Sequence, residues 1–301
     1  MPAASTLARL QQLLVLVLAA SAVAWMFAWW PTHPVVAVLG AIGIAFVHAI
    51  VLALEFLLLP LASRHDPAPR PTAGELVHAW WSEVLQGVRI FGWRQPFAWR
   101  SHPDQLHGTP GAVGLVFVHG FVCNRGFWAP WLQQATERGH PFVAVNLEPV
   151  FGGIDSYVST IDDAVTRLAA ATGRAPVLVC HSMGGLAVRA WASHGGGNAR
   201  VAHTVTIGSP HRGTWLARFG HSPSGRQMRI GGEWLRNLAE AEASAPGRFT
   251  CWYSNCDNVV FPPSTATLPG ADNRFVSGAA HVALAFRSEV IEYTFALARA
   301  M

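Results

Sequence analysis

The chain has 301 residues, 51% hydrophobic and only 13% charged, about half the charge of an ordinary soluble domain; so apolar a chain has ample surface to bury, which excludes disorder. Four Cys exclude a disulfide-stapled miniprotein, and no CxxC or His/Cys ladder suggests a metal fold. The net charge is +4, yet all 21 basic residues are Arg, scattered singly with no run that would track phosphates, so nucleic acid is not an expected partner.

Residues 1–62 carry much of the excess apolarity. From Leu13 to Trp30 the only polar residue is Ser21, and from Val35 to Ala62 only His48 and Glu55 interrupt the run. Each stretch reaches the roughly 20 residues that a helix needs to cross a bilayer. Pro31-Thr32-His33-Pro34 between them allows a tight turn, so the expectation is a two-helix transmembrane hairpin with Trp25, Trp29 and Trp30 near an interface. Arg9 precedes the first stretch, and Arg64 and Arg70 follow the second. The positive-inside bias then puts both flanks in the cytoplasm, on a bacterial inner membrane. If only one stretch spans, the rest of the chain is periplasmic. A cleaved signal peptide ending Ala20-Ser21-Ala22 is the rival reading, but the apolar run continues through Trp25-Met26-Phe27. Glu55 lies about 30 Å of helix rise from Val35, which suggests that it reaches the far headgroups. His48 is expected to bond a neighbouring helix.

Residues 63–110 are a Pro-rich linker, 63–75, and a Trp-rich segment holding Trp80, Trp81, Trp93 and Trp99. The expectation is an amphipathic helix followed by one strand, lying near the bilayer.

Residues 111–301 alternate apolar runs with amphipathic ones. Strands are expected at Val113–Val118, Phe142–Val145, Val177–Cys180, Val201–Ile207, 249–254 and 274–276. Helices are expected at 127–138, from Asp155 to Thr172, over Met183–His194 with a stop at Gly195-Gly196-Gly197, and over 282–300. Such alternation predicts an α/β fold, a mostly parallel sheet with helices on both faces. Residues 211–246 stand apart as a small cap.

Ser182-Met183-Gly184-Gly185 lies directly after an apolar strand and directly before a helix. A Ser on so sharp a turn projects its hydroxyl from the sheet edge, and the helix beginning there supplies backbone N–H groups and a positive dipole end for an oxyanion. The strand Leu115–Val118 runs into His119-Gly120-Phe121, and the N–H groups of Phe121 and Met183 are the expected oxyanion hole. A Ser nucleophile needs a base and an orienting acid. Asp257 follows the strand at 249–254, and His281 stands between a short strand and the last helix. The order Ser182, Asp257, His281 suits groups capping successive strands. Asp272 precedes its strand and His203 starts one, which puts both at the wrong sheet edge. His119 and His181 adjoin the two turns. His211, Met228, Trp234 and Leu235 belong to the cap, where they either line a lid over an acyl pocket or pack on the sheet.

Over residues 111–300 the chain resembles the α/β-hydrolase lipases and esterases, especially bacterial lipases that are also similar to the GPI-deacylase-like proteins. The resemblance rests on Phe117-Val118-His119-Gly120-Phe121, Cys180-His181-Ser182-Met183-Gly184-Gly185-Leu186, Ile207-Gly208-Ser209-Pro210-His211-Arg212-Gly213-Thr214, Asp257 with Val260 and Pro262, and Gly278 with His281. One position departs from it: the usual elbow has Gly two residues before Ser, and here Cys180 stands there. A small residue still fits, and a buried strand end gives that thiol no activating base. Cys251 and Cys256 are expected to be reduced. Together these features imply a membrane-anchored serine hydrolase acting on acyl or lipid esters, with no metal or organic cofactor. Acyl transfer to an alcohol or thiol by the same triad, thioester hydrolysis, and a catalytically silent membrane scaffold are the alternatives.

Overall fold

A computed structural model describes residues 5–194, 197–242 and 247–301. Gly195 and Gly196, and residues 243–246 at the end of the expected cap, lie outside the described residues.

Six short strands build one sheet: β1 (Leu115–Val118), β2 (Phe142–Ala144), β3 (Val177–His181), β4 (His203–Ile207), β5 (Phe249–Ser254) and β6 (Asp272–Val276). All neighbours are parallel, in the order β2-β1-β3-β4-β5-β6. Leu115, Val116, Phe117 and Val118 are all buried, as are Val177 to His181. Both faces of these strands are therefore covered, which is why they read as unbroken apolar runs. The order reverses between β1 and β3. Loops leaving their carboxyl ends diverge there, the crevice where open α/β sheets bind ligands.

The helices are α1 (Thr6–Trp29), α2 (Pro34–Ala45), α3 (Val47–Ala62), α4 (Ala73–Arg89), α5 (Gln95–Phe97), α6 (Ala129–Glu137), α7 (Val158–Thr172), α8 (Met183–Ser193), α9 (Pro223–Gln227), α10 (Glu233–Glu242), α11 (His281–Leu284) and α12 (Ser288–Ala300). Gly173, at φ 67°, closes α7 in the left-handed conformation that Gly adopts without strain. The expected helix at 282–300 is two, broken at residues 285–287, and His281 is the first residue of the shorter one. Asp272 begins β6 instead of preceding it.

The N-terminal third corrects the sequence reading in three places. α1, with 24 residues, is long and apolar enough to cross a membrane, but the second stretch is α2 and α3, bent by 60° at Phe46. No strand follows α4. The chain instead widens into a π-helical turn, Ile90–Arg94, and then α5. The Pro-rich segment is a strap more than a linker, because Asp66 accepts from the Ser264 amide and hydroxyl of the sheet domain. A capping box starts α4: Thr72 Oγ1 accepts from the Glu75 amide while Glu75 accepts from the Thr72 amide.

These helices dock on the sheet domain. Glu148 accepts from the Thr6 amide and hydroxyl at the start of α1, Gln12 donates to the Pro96 carbonyl, and Trp80 donates to the Ala49 carbonyl. Phe56 of α3 and Ala79 of α4 form a small apolar cluster with Cys256, Ala280 and Ala283. His48 Nε2 lies 3.3 Å from the Val84 carbonyl, the neighbouring-helix bond that was expected of it.

Candidate active site

Ser182 sits between β3 and α8 with φ 54° and ψ −131°. A non-Gly residue with positive φ is held there only by its surroundings. Here the Ser182 amide donates to the Ile207 carbonyl of β4, fixing the turn to the sheet. The elbow is crowded on every side. A Cβ on Gly184 would lie 2.5 Å from the Val118 carbonyl oxygen, and one on Gly185 2.3 Å from Ser209 Oγ. Cys180 pairs with Val118 in the sheet and is fully buried, and burial pushes its thiol pKa up, away from nucleophilic use. All four cysteines are free and buried, so Cys251 and Cys256 do not pair.

The loop after β1 lies against this elbow. A Cβ on Gly120 would stand 2.7 Å from Ser182 Cβ, so only Gly lets the two turns approach. His119 is buried beneath them. Its Nε2 accepts from the Leu147 amide at 3.0 Å and its Nδ1 donates to the Gly120 carbonyl at 2.9 Å. Burial lowers its pKa to about 4, which keeps that tautomer neutral. Gly120 C=O and Phe121 N–H belong to one peptide plane, so His119 fixes the direction of the Phe121 donor. His119 is thus part of the scaffold beneath the loop.

Asp257 and His281 are brought together by their loops. Ser254 Oγ, at the end of β5, accepts from the Cys256 and Ala279 amides, and Asn255 Oδ1 accepts from the Gly278 amide. The acid loop and the base loop are thereby laced side by side. His281 Nδ1 stands 2.9 and 3.0 Å from the two oxygens of Asp257, and Asp257 Oδ1 also accepts from the Val259 and Val260 amides. With Nδ1 donating to the carboxylate, Nε2 is the free acceptor of the ring. Burial pulls the His281 pKa down, but the charges of Asp257 and Glu83 outweigh it, so the imidazole titrates above the usual histidine value.

His181 links the two halves. Its ring lies between Phe127 (4.4 Å) and His281 (4.6 Å), and its Nε2 is 3.2 Å from the His281 carbonyl. Burial, then the neighbouring His281, holds its pKa well below the usual range, so a neutral ring donates that bond. The imidazole of His281 is therefore seated beside the residue that precedes Ser182. Among the described residues no hydrogen bond joins Ser182 Oγ to His281, and such bonds commonly close only with substrate in place.

Four residues that the sequence reading did not place at the site hold the loops of Asp257 and His281. The Asn258 carboxamide accepts from the His281 amide at 3.2 Å and donates to Glu55 at 2.6 Å. Glu55 thus faces the loops that carry Asp257 and His281, not the far headgroups. Glu83, buried within α4, accepts from the Val282 and Ala283 amides at 2.8 and 3.1 Å, the first turn after His281. Burial raises its pKa to about 7. Glu75, two turns earlier on the same helix, accepts from Ser277. Glu83 could have been suspected from its place inside an amphipathic helix. Nothing local marks Glu55 or Asn258.

The cap residues lie elsewhere. His211 is buried under the sheet edge, its Nε2 2.9 Å from Thr206 Oγ1 and its carbonyl accepting from Arg189. Met228 and Leu235 join the core around α7 and α8 with Trp234 packed against them, and Trp234 donates to Asp155. The cap helix α10 packs on α8, held by the Arg189–Glu242 ion pair, which gives these side chains a packing role in the core cluster that Met183 also joins. His203 bonds Thr250 and Asp272 bonds Arg274, both away from the triad.

Residues 115–295 match the family model described as "Alpha/beta hydrolase family", which spans more than half of the chain. The chain belongs to the alpha/beta hydrolase family. Its fold is similar to that of the mature Bacillus licheniformis lipase BlEst2, at 17% identity and TM-score 0.56, covering 64% of this chain and 96% of that one. It is also similar to Aspergillus fumigatus lipase B, at 17% identity and TM-score 0.51, covering 86% of this chain and 68% of that one. No protein of curated function matches it in sequence. Identities this low speak for the hydrolase fold alone.

Proposed function

We propose that the protein is a membrane-anchored serine hydrolase that cleaves acyl or lipid esters through an acyl-enzyme. The observation that carries this reading is the buried His281–Asp257 pair packed against His181, the residue before a strained Ser182, at the point where the sheet order reverses. His281 Nε2 takes the Ser182 proton as Oγ attacks the ester carbonyl, and returns it to the leaving alcohol. Asp257 holds the imidazole in the Nδ1–H tautomer and steadies the imidazolium. The Phe121 amide, on the peptide that His119 fixes, and the Met183 amide, at the start of α8, receive the oxyanion. Water then attacks the acyl-enzyme with His281 as base. The likeness of the fold to two lipases, together with an apolar α1, favours lipid esters over soluble ones. The anchor comprises α1 and the bent α2–α3 pair, with both ends on the hydrolase side. The Arg flanks assign that side to the cytoplasm.

A fluorophosphonate probe is expected to form a covalent adduct on Ser182 of the full chain and none on Ser182→Ala. Adducts that persist in Ser182→Ala, or none on the intact protein, would remove the nucleophile from this assignment. Release of the acyl group as free acid, instead of onto added alcohol or thiol, separates hydrolysis from acyl transfer.

A further inference from the structure

The N-terminal helices provide an apolar pocket. A cavity of about 700 Å³ lies among α1, α3, α4 and the π-helical turn, within the volume range of ligand sites. Leu18 and Ala22 of α1, Leu52 of α3, and Val88 and Phe91 line its sides, and Val282 lies on its floor. The space exists because small residues face it: Ala19 on one wall and Gly92 on the other, where a Cβ would find its nearest neighbour 4.0 Å away. Hydrocarbon walls of this extent gain free energy when an apolar ligand displaces water from them.

The wall chemistry restricts what such a ligand can be. His48 and Glu83 are ionisable groups on it, and both are engaged: His48 with the Val84 carbonyl, Glu83 with the Val282 and Ala283 amides. What remains is hydrocarbon, which leaves polar atoms along a ligand uncompensated and accepts a methylene chain. One wall is α1, whose other face exposes Leu13 and Leu16. The floor residue Val282 directly follows the base His281. We infer that this cavity receives the acyl chain of the ester that Ser182 attacks, so that α1, α3 and α4 are a wall of the substrate site and not only a tether. The inference rests on the serine-hydrolase reading above.

The test uses the full chain in phosphatidylcholine vesicles and a hexadecyl fluorophosphonate carrying a diazirine at its chain end. The expected product is an adduct on Ser182 whose irradiated tail crosslinks to Leu18, Ala22, Leu52 or Val88. A Ser182 adduct with its tail on the cap residues 228–238, or on the outward Leu13 and Leu16, overturns the cavity assignment and leaves the nucleophile standing. Failure to label Ser182 overturns both. As a second measurement, Ala19→Phe and Gly92→Leu each narrow the cavity from a different wall. Each is expected to lower the kcat/KM ratio of dodecanoate to butyrate p-nitrophenyl ester at least tenfold. An unchanged ratio in both variants rejects the proposal.

Discussion

Leu178 of β3 and Leu16 of α1 are both leucines within apolar runs, yet the first is fully buried and the second is 60% exposed. The contrast extends to the two regions they represent. The sheet domain closes its apolar residues into two layers, one on each face of the strands. The N-terminal helices leave Leu13, Leu16, Phe27, Leu39, Leu57 and others open. They turn their few polar side chains toward the other region: Glu55 to Asn258, Asp66 to Ser264, Glu75 to Ser277, Glu83 to the turn after His281. A soluble domain hides hydrocarbon and shows charge. Here one region does so, while the other shows hydrocarbon and directs its charge at its neighbour.

The sharpest way to probe the sheet side of this contrast is Asp257→Asn. The carboxamide keeps the shape but holds the wrong imidazole tautomer, so kcat on a p-nitrophenyl ester should fall by about 10⁴-fold. A loss below tenfold would mean that Asp257 does not orient the base. Deleting residues 1–62 tests the other side, since it removes Glu55 and one wall of the cluster around Phe56. Kcat/KM on a short ester should then drop by about 10²-fold, the scale of a small displacement of a catalytic group. Full activity in the truncated chain would reduce the helices to a tether.

Glu83→Ala isolates one contact between the regions. Two buried amides, of Val282 and Ala283, lose their acceptor, at about 1–3 kcal/mol for each unsatisfied group. The thermal midpoint should fall by several degrees, roughly 2–4 °C per kcal/mol for a domain of this size. The smallest expected effect is on the pH profile. His281 must be neutral to accept the Ser182 proton, and its pKa is raised, so kcat/KM should fall with acidification at a pH above the ordinary histidine value of about 6.5. Glu83→Gln removes one of the negative charges that raise it, so the acid limb should move to lower pH. The same linkage acts on folding: the raised His281 pKa adds stability that is complete below the unfolded value and fades as pH rises through the folded one. A limb that does not move would show that Glu83 carries no charge felt by the base.

The proposed triad stood out in the sequence because each member ends or follows a strand with its own local mark. Ser182 stood between an unbroken apolar run and a helix, and Asp257 and His281 followed strands in the order that such a sheet demands. The helical ends were less legible. Nothing in residues 282–300 signals the break at 285–287, and Phe46 bends its stretch without a proline. The capping box of Thr72 and Glu75 was readable in principle, as its pattern is wholly local. Glu55 was the most misleading residue. An isolated carboxylate late in an apolar run normally seeks headgroups, and its actual partner lies 203 residues along the chain. Pairings at that separation leave no periodicity, and the cap illustrates the same limit. The spacing of Trp234, Leu235 and Leu238 shows an apolar face without showing which surface it will cover.

Glu55 and Glu83 precede the groups they hold by 203 and 199 residues, and this separation bears on how the protein is made. Synthesis runs from the N terminus, with each region free to organise as it appears. The helices are therefore in place before the ribosome has translated Asn258 or Val282. Ser182 is made while Asp257 and His281 are still to come. The closing segment then settles onto acceptors that were already waiting for it.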